Sequence, residues 1–571
     1  MKQTRIHIIG SVALAAMLVS CAGLNKMKKN AASVQYTVTP TVLEAHAGKV
    51  DLGIKAQVPA KFWDKKASAE ITPVLVYEGG ETVYPSVKIQ GESVQGNDKI
   101  IPFTTGGQYT YNNTVPFNDK MRVSNLVIRM KATKGAKTVT FDDYKIAEGV
   151  IATSTLVADQ GAMAGLGKDN FQRIVSESQA AEILYMIQQA EVRQGQLKKE
   201  DIKALNDYIA AIKATENKNF KDVTVSAYAS PDGAMDLNTK LADNREKTAS
   251  KYVASQLKKA KVEEGDALLK GKTTAEDWDG FKKAMEASNI QDKELILRVL
   301  SMYTDPEVRE KEIKNMATTF KVIAEEILPP LRRSVLTVNA ELIGKSDAEL
   351  KELSASNPSS LNLEELLYAA TLTQDKDAQL AIYKEAAAKY PNCWRAINNV
   401  GVALYAKGDV AGAKTQFEKA ASIKADPIVE NNLGVIALIN KDYAKAEEHF
   451  GKAAGTGAEL DNNLGIVAIH KGDYEAAIRY FGNSTSCNAA LAKILAGKYD
   501  AALSTLNANT MEVGMKYYLK AVVGANKGEN DLMFENLRKA TSLDAKWKTY
   551  AKTDMVFGKF FQDATFKSIV E

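Results

Sequence analysis

Asn431-Asn432-Leu433-Gly434-Val435-Ile436-Ala437-Leu438 returns 31 residues later as Asn462-Asn463-Leu464-Gly465-Ile466-Val467-Ala468-Ile469, and Asn398-Asn399-Val400-Gly401-Val402 stands 33 residues before it. The same intervals separate Ala413, Ala446 and Ala477, and again Phe417, Phe450 and Phe481. Apolar residues at helical spacing flank each landmark, and Gly408-Asp409 and Gly472-Asp473 fall between them. Each period therefore predicts a helix, a tight turn and a second helix. A fixed period of this length is the mark of a solenoid, in which no unit buries its apolar face alone and stacked neighbours share one core.

Period and landmarks together resemble the tetratricopeptide repeat. That resemblance implies that the Gly and Ala let two helices approach closely, while the aromatic fills the gap to the next unit. Degenerate units flank the strong ones: Tyr383, Ala386 and Pro391 end one before, Gly497-Lys498-Tyr499-Asp500-Ala501-Ala502 begins the second helix of one after, and Gly528 to Ala540 belongs to another. Five or six units are expected over residues 355–571, as an all-α repeat domain with a concave groove. The first Asn of each pair (Asn398, Asn431, Asn462) stands one helical turn before Val402, Val435 and Ile466, so both sets are expected on the groove wall. The second Asn is common in the family and serves packing between repeats. An amide-plus-aliphatic strip of this kind suits a peptide segment of a protein partner. No Lys or Arg recurs at these positions to clamp a terminal carboxylate.

Upstream, residues 180–345 read as mixed α+β. Val223 to Tyr228 is a strand, and Asp201–Ile212 and Asp236–Leu257 are helical, the latter with Leu237, Leu241 and Val253 on its apolar stripe. A helical stretch from Ala275 to Ile327 ends at Pro329-Pro330, and Ser334–Ala340 alternates as a closing strand. Ser226-Ala227-Tyr228-Ala229-Ser230-Pro231-Asp232-Gly233, followed by Asn238-Thr239-Lys240-Leu241-Ala242-Asp243-Asn244-Arg245, resembles the OmpA C-terminal domain, in a variant with a long helical insertion. That resemblance implies non-covalent binding of peptidoglycan through the diaminopimelate of its stem peptide, whose carboxylate is held by an Arg on the helix and whose ammonium is received by an Asp in the turn. Arg245 and Asn238 match the helix motif. The Asp position is Ser230, which brings no charge, and Asp232 stands nearby as a substitute.

Residues 34–152 read as β structure. Alternation in Val50–Ala56 and Leu126–Ala132 sends successive side chains to opposite faces, and glycine-rich turns at Gly79-Gly80, Gly106-Gly107 and Lys134-Gly135 leave seven or eight short strands. An immunoglobulin-like β-sandwich is expected, with Trp63 in its core or plugging its edge. Between this block and the next lies a linker, residues 153–179, whose Gly161-Ala162-Met163-Ala164-Gly165-Leu166-Gly167 lacks the strand-turn-helix setting of a nucleotide loop.

The N-terminus begins with Lys2 and Arg5, continues with mostly apolar residues to Val19, and reaches Ser20-Cys21. This is a lipoprotein signal pattern. Cleavage after residue 20 would leave Cys21 to be acylated and residues 21–33 as a linker, and several acyl chains give firm anchoring. The residues after Cys21 carry no acid, which favours a periplasm-facing protein on the outer membrane. The whole chain resembles a Bacteroidetes outer-membrane lipoprotein with an OmpA-like domain and tetratricopeptide repeats.

Composition narrows the classes further. With 571 residues the chain is too long for one core. Net charge is +4, or +2 once residues 1–20 and their two cations are removed, so no field points to nucleic acid. Four His and three Cys are too few and too scattered for a metal site, and Cys393 and Cys487 are expected as separate buried thiols. His449 and His470 are expected on the surface. No hydrolase or phosphate-binding motif occurs, and no cofactor is implied. The expectation is a non-catalytic tether between membrane and peptidoglycan that recruits an envelope protein through its repeats. The alternative is an adaptor subunit of an outer-membrane protein assembly or secretion complex whose OmpA-like domain no longer binds peptidoglycan.

Overall fold

A computed structural model describes residues 23–571, so Cys21 and the leader lie outside the described residues. The chain falls into two units: residues up to Gly167 together with Ala387–Glu571, and Lys168–Ala386.

The first unit opens with two β-sheets on a shared core. Lys49–Val58 is the hub of one, pairing with Gln35–Thr39, Leu43–His46 and Gly107–Pro116. Ser124–Lys134 and Ser68–Tyr77 pair along ten positions at the centre of the other. Alternation does what the pleat requires: Val50, Leu52, Ile54, Ala56 and Val58 from the first hub meet Leu126, Ile128, Met130 and Ala132 from the second. Trp63 is buried among them, its Nε1 donating to the Ala67 carbonyl at 3.1 Å. Residues 23–29, read from sequence as linker, are helical and insert Leu24 and Met27 into this core. Spacing of three puts both on one helix face, a signal too short to read without the sheets.

The same unit continues as five antiparallel helix pairs, beginning with Trp394–Ala406 and Val410–Ile423 and ending with Gly514–Lys527 and Asn530–Leu543. Glycine at the centre of the first helix is required by close approach. A Cβ on Gly401, Gly434 or Gly465 would stand 2.5, 2.4 or 2.8 Å from the ring of Phe417, Phe450 or Phe481. The aromatic thus seats on the glycine of its own pair, and Phe417 also touches Ile436 of the next, so it fills both gaps. Turns are held by Asp409, Asp442 and Asp473, whose carboxylates accept from the backbone N–H of Gly412, Lys445 and Ala476. Gly408 and Gly472 adopt positive φ there, and Lys441 does so in the middle repeat.

The second unit carries a four-stranded sheet. Ile174–Leu184 lies antiparallel to Arg333–Ile343, which lies antiparallel to Lys218–Tyr228, and Leu269–Thr274 adds parallel to the last. Helices Glu200–Ala214 and Met235–Lys259 cover the sheet with Ile202, Leu205, Ile209, Ala249, Val253 and Leu257. The buried stripe of the second helix is Asn238, Ala242, Arg245, Ala249, Val253 and Leu257, and Leu237 is exposed. Two polar residues therefore occupy an inward face that the sequence assigned to leucines. The insertion forms Trp278–Ala287, Lys293–Met302, Pro306–Lys314 and Ala317–Glu326 around its own core of Phe281, Met285, Ile296 and Ile323. Pro329 and Pro330 sit in the first turn of a short helix, Leu328–Leu331, where the missing N–H is not needed, and the chain then enters the closing strand.

Replacing Gly434 by Ala should lower the unfolding free energy of the repeat array by about 1–3 kcal/mol and its urea midpoint with it, because the new methyl overlaps the Phe450 ring. Gly451→Ala, on the second helix of the same repeat with no atom within 4 Å of its Cβ, should leave the midpoint unchanged or raise it.

Candidate functional site

The concave face of the repeats is lined by asparagines, and its occupant is a segment of the same chain. Each second asparagine grips one residue of the backbone with both ends of its amide. Asn399 accepts from the Gly167 N–H at 2.8 Å and donates to the Gly167 carbonyl at 3.0 Å. Asn432 does the same to Gly165 at 2.7 and 2.8 Å, Asn463 to Met163 at 2.7 and 2.9 Å, and Asn488 of the fourth pair to Ala158 at 2.9 and 2.9 Å. Segment and repeats run in opposite directions. From Gly167 to Met163 each repeat advances the segment by two residues, and an extended chain covers roughly 6.6 Å in that step, the spacing at which alternate residues present their backbone to one side.

The first asparagines complete the array. Asn398, Asn431 and Asn462 donate to the carbonyls of Gly165, Met163 and Gly161 at 3.1, 3.0 and 2.8 Å. Their oxygens are used too: Asn432 donates to Asn398 at 2.8 Å and Asn463 to Asn431 at 3.0 Å, which links consecutive repeats. Packing between repeats and backbone binding are thus the same set of bonds. Asn398, Asn431 and Asn432 are fully buried, so every amide proton and oxygen left unmatched would carry a desolvation cost.

Around this array the segment is fixed by side chains. Tyr405 donates its hydroxyl to the Ala162 carbonyl at 3.0 Å. His470 meets the Asp159 carboxylate at 2.6 Å, with the Tyr443 ring stacked on the imidazole at 4.1 Å between centroids. Leu156 and Ala162 enter the core of the repeats. The wall is close at the glycines: a Cβ on Gly167 would lie 2.9 Å from the Cβ of Arg395, and one on Gly165 3.2 Å from Ile428, which would have to give by a few tenths of an ångström. Before the groove, the Ser154 hydroxyl bonds the Ala45 carbonyl at 2.6 Å and ties the segment to the β-sheets.

Several sequence expectations are corrected here. Residues 153–167 are not a free linker but the ligand of the groove; their Gly/Ala composition hides the contact because only the backbone is read. Val402, Val435 and Ile466 do not stand on an open wall: Val435 and Ile466 are buried in the cluster that Leu156 and Ala162 of the segment join, and Val402 packs in the cluster that holds Ala164. His449 and His470 are mostly buried, each against a carboxylate, Glu430 and Asp159. Cys393 and Cys487 are unbonded and partly buried, and burial pushes the Cys487 thiol up. Asn488, missed by the reading of the strong units, lies in a degenerate repeat that lacks the paired amide.

In the second unit Ser230, Asp232, Asn238 and Arg245 lie around one turn and the helix that follows it. Asn238 donates to the carbonyls of Ser230 and Gly233 at 3.2 and 2.9 Å and so shapes the turn. Arg245 is buried at 1% exposure, with Nε donating to Gln189 at 2.9 Å, Nη1 to Tyr228 at 2.8 Å and Nη2 to Met186 at 3.4 Å, all backbone carbonyls. Burial chiefly, helped by Arg332, pushes its guanidinium down to about 10, so it stays cationic at neutral pH. The turn already holds a cation. Arg332 donates to the Ser230 hydroxyl at 3.1 Å and to the Asp232 carboxylate at 3.2 Å, Ser230 itself bonds Asp232, and Lys314 of the insertion donates to the Asp232 carbonyl at 3.2 Å. No local pattern in the sequence points to Arg332, because 102 residues separate it from Ser230.

Among the described residues no group of His, Cys, Asp and Glu could hold a metal ion, and no helix is long and apolar enough to cross a membrane. No family of known proteins matches the chain, and no curated protein sequence does. Solved structures similar to parts of it include proteins described as tetratricopeptide-repeat proteins. YrrB, a TPR protein with an unusual peptide-binding site, is 20% identical over 30% of this chain and 97% of its own, with a TM-score of 0.24. A tetratricopeptide repeat protein from Parabacteroides merdae is 16% identical over 37% and 91%, at 0.28, and the APC/C hetero-tetramer Cut9-Hcn1 is 16% identical over 65% and 82%, at 0.32. The period, the Gly–Phe contacts and the capped turns make the C-terminal region a solenoid of helix pairs that resembles a tetratricopeptide-repeat array.

Asn432→Ala removes two bonds to Gly165, one to Asn398 and one from Asn431, and leaves buried partners unpaired. At ~1–3 kcal/mol for an unpaired buried group, the unfolding free energy of this unit should fall by about 3 kcal/mol in urea titration. Exposed Asn440→Ala, at a helix end, should shift it far less.

Proposed function

We propose that this chain is a lipid-anchored scaffold of the outer membrane, facing the periplasm, and that it serves as an adaptor in a protein assembly or secretion complex. Cys21 carries the anchor, the immunoglobulin-like sandwich and the repeats form the body, and the central OmpA-like domain supplies a further docking module. The chain performs no turnover.

The observation that carries the adaptor reading over a peptidoglycan tether is the position of Arg332. The turn that would have to receive the ammonium of diaminopimelate is filled by the guanidinium of Arg332 on Ser230 and Asp232, and a second cation there meets repulsion instead of attraction. Arg245, which would hold the stem-peptide carboxylate, is 1% exposed and uses three of its five N–H donors on backbone carbonyls. Ser230 in place of Asp removes the charge that would favour exchange of one cation for the other.

The non-acylated mature chain should not co-sediment with diaminopimelate-containing sacculi above background at low or physiological salt. Ser230→Asp combined with Arg332→Ala, which restores the acid and vacates the turn, should co-sediment. Wild-type retention that disappears in Arg245→Ala would return the function to a wall tether. The anchor is tested separately: expressed with its leader in a bacterial envelope, the wild type should partition into the detergent phase of Triton X-114 and Cys21→Ser into the aqueous phase, whereas equal partitioning would remove the lipid from the account.

A further inference from the structure

We propose that the repeat groove is a receptor that reads peptide backbone, that its ligand class is an extended small-residue segment with an acid near its N-terminal end, and that residues 156–167 are a built-in occupant competing with any such partner. This holds whichever envelope complex the chain serves.

Three features set the ligand chemistry. Four asparagines, Asn399, Asn432, Asn463 and Asn488, each bond the N–H and the carbonyl of one segment residue, a pattern any non-proline residue satisfies. Selection therefore comes from sterics and charge. The wall meets Gly167 too closely for a side chain and Gly165 closely enough that a branched side chain would have to displace Ile428, and it closes on the Ala162 methyl, whereas the Met163 and Leu166 side chains are exposed and leave their positions free. His470, stacked on Tyr443, marks the place of one carboxylate, that of Asp159. The pattern is acid, then Gly or Ala at the wall-facing positions, with two unconstrained residues between them.

Occupation in cis follows from connectivity. The segment continues from the β-sheets, bonded through Ser154 to Ala45, so its concentration at the groove is that of a tethered ligand. Tethering of this kind raises apparent affinity by roughly 10²–10⁴ without new contacts. A free peptide of the same sequence has to overcome that factor, and a partner gains the groove only when the segment is weakened or out-competed.

The test uses the full mature chain and a fluorescein-labelled peptide of residues Leu156–Gly167, with binding read by anisotropy. Wild type should bind it at least about 100-fold more weakly than a chain carrying Gly165→Val and Gly167→Val, whose own segment no longer fits. Adding Asn432→Ala and Asn463→Ala to that chain should abolish binding, and a peptide carrying Gly165→Val should not bind either chain. Equal binding to wild type, or no binding to a glycine-substituted chain that keeps its wild-type circular dichroism, overturns the proposal. So does indifference to the Gly165→Val peptide. If the substituted chain does not fold, amide hydrogen exchange of the wild type decides: slow exchange at Ala158, Met163, Gly165 and Gly167 is required, and rates of an unstructured peptide at those four sites refute the cis occupant.

Discussion

A side-chain amide carries a donor and an acceptor side by side, the same pair that a residue of extended backbone presents to one side. That complementarity organises the first unit. Asparagines on successive repeats point inward, where no water replaces a missing partner, so the groove is stable only if a strand of backbone answers each amide. The chain provides that strand itself. Residues 158–167 satisfy the array, and in turn the array satisfies a glycine-rich segment that has almost no side chains with which to earn a place in a core.

The consequence reaches the β-sheets. Because the segment leads directly from Val150–Ile151 through Thr153–Leu156 into the groove, its bonds tie the sandwich to the repeats within one unit. Further links lie beside it. Arg122 donates to Thr155 at 2.7 Å and lies 4.3 Å from the centroid of the Tyr550 ring, and His46 meets the Tyr474 hydroxyl at 2.6 Å. A repeat array with an open concave face is a docking surface by default. Here the face is filled, which makes displacement of the segment, and not access to an empty groove, the event that any peptide partner must drive.

The central domain shows the same principle with charge in place of amides. Asn238 and Arg245 sit on the buried stripe of their helix, and the backbone of neighbouring loops supplies the carbonyls they need. A long insertion then brings Lys314 and Arg332 to the turn at Ser230 and Asp232. The Asp232 carboxylate at that turn is thereby paired within the chain. The residues of the motif were legible in the sequence and so was the insertion, but the meeting of the two was not, since a salt bridge across 100 residues leaves no periodic trace.

What the sequence determined by itself is whatever repeats or alternates: the 31- and 33-residue intervals of Gly, Ala and Phe, the period-two strands around Val50 and Leu126, and the helix-strand order of the central block. Those patterns arise because side chains must be sorted between core and solvent, and sorting is written in side-chain identity. Only the tertiary structure decided that Gly161–Gly167 is a ligand instead of a linker, that Val435 and Ile466 are buried with that segment instead of facing an open groove, and that Arg332 closes the turn at Ser230. Each of these depends on backbone hydrogen bonds or a contact between distant residues, and neither has a signature in the order of the amino acids.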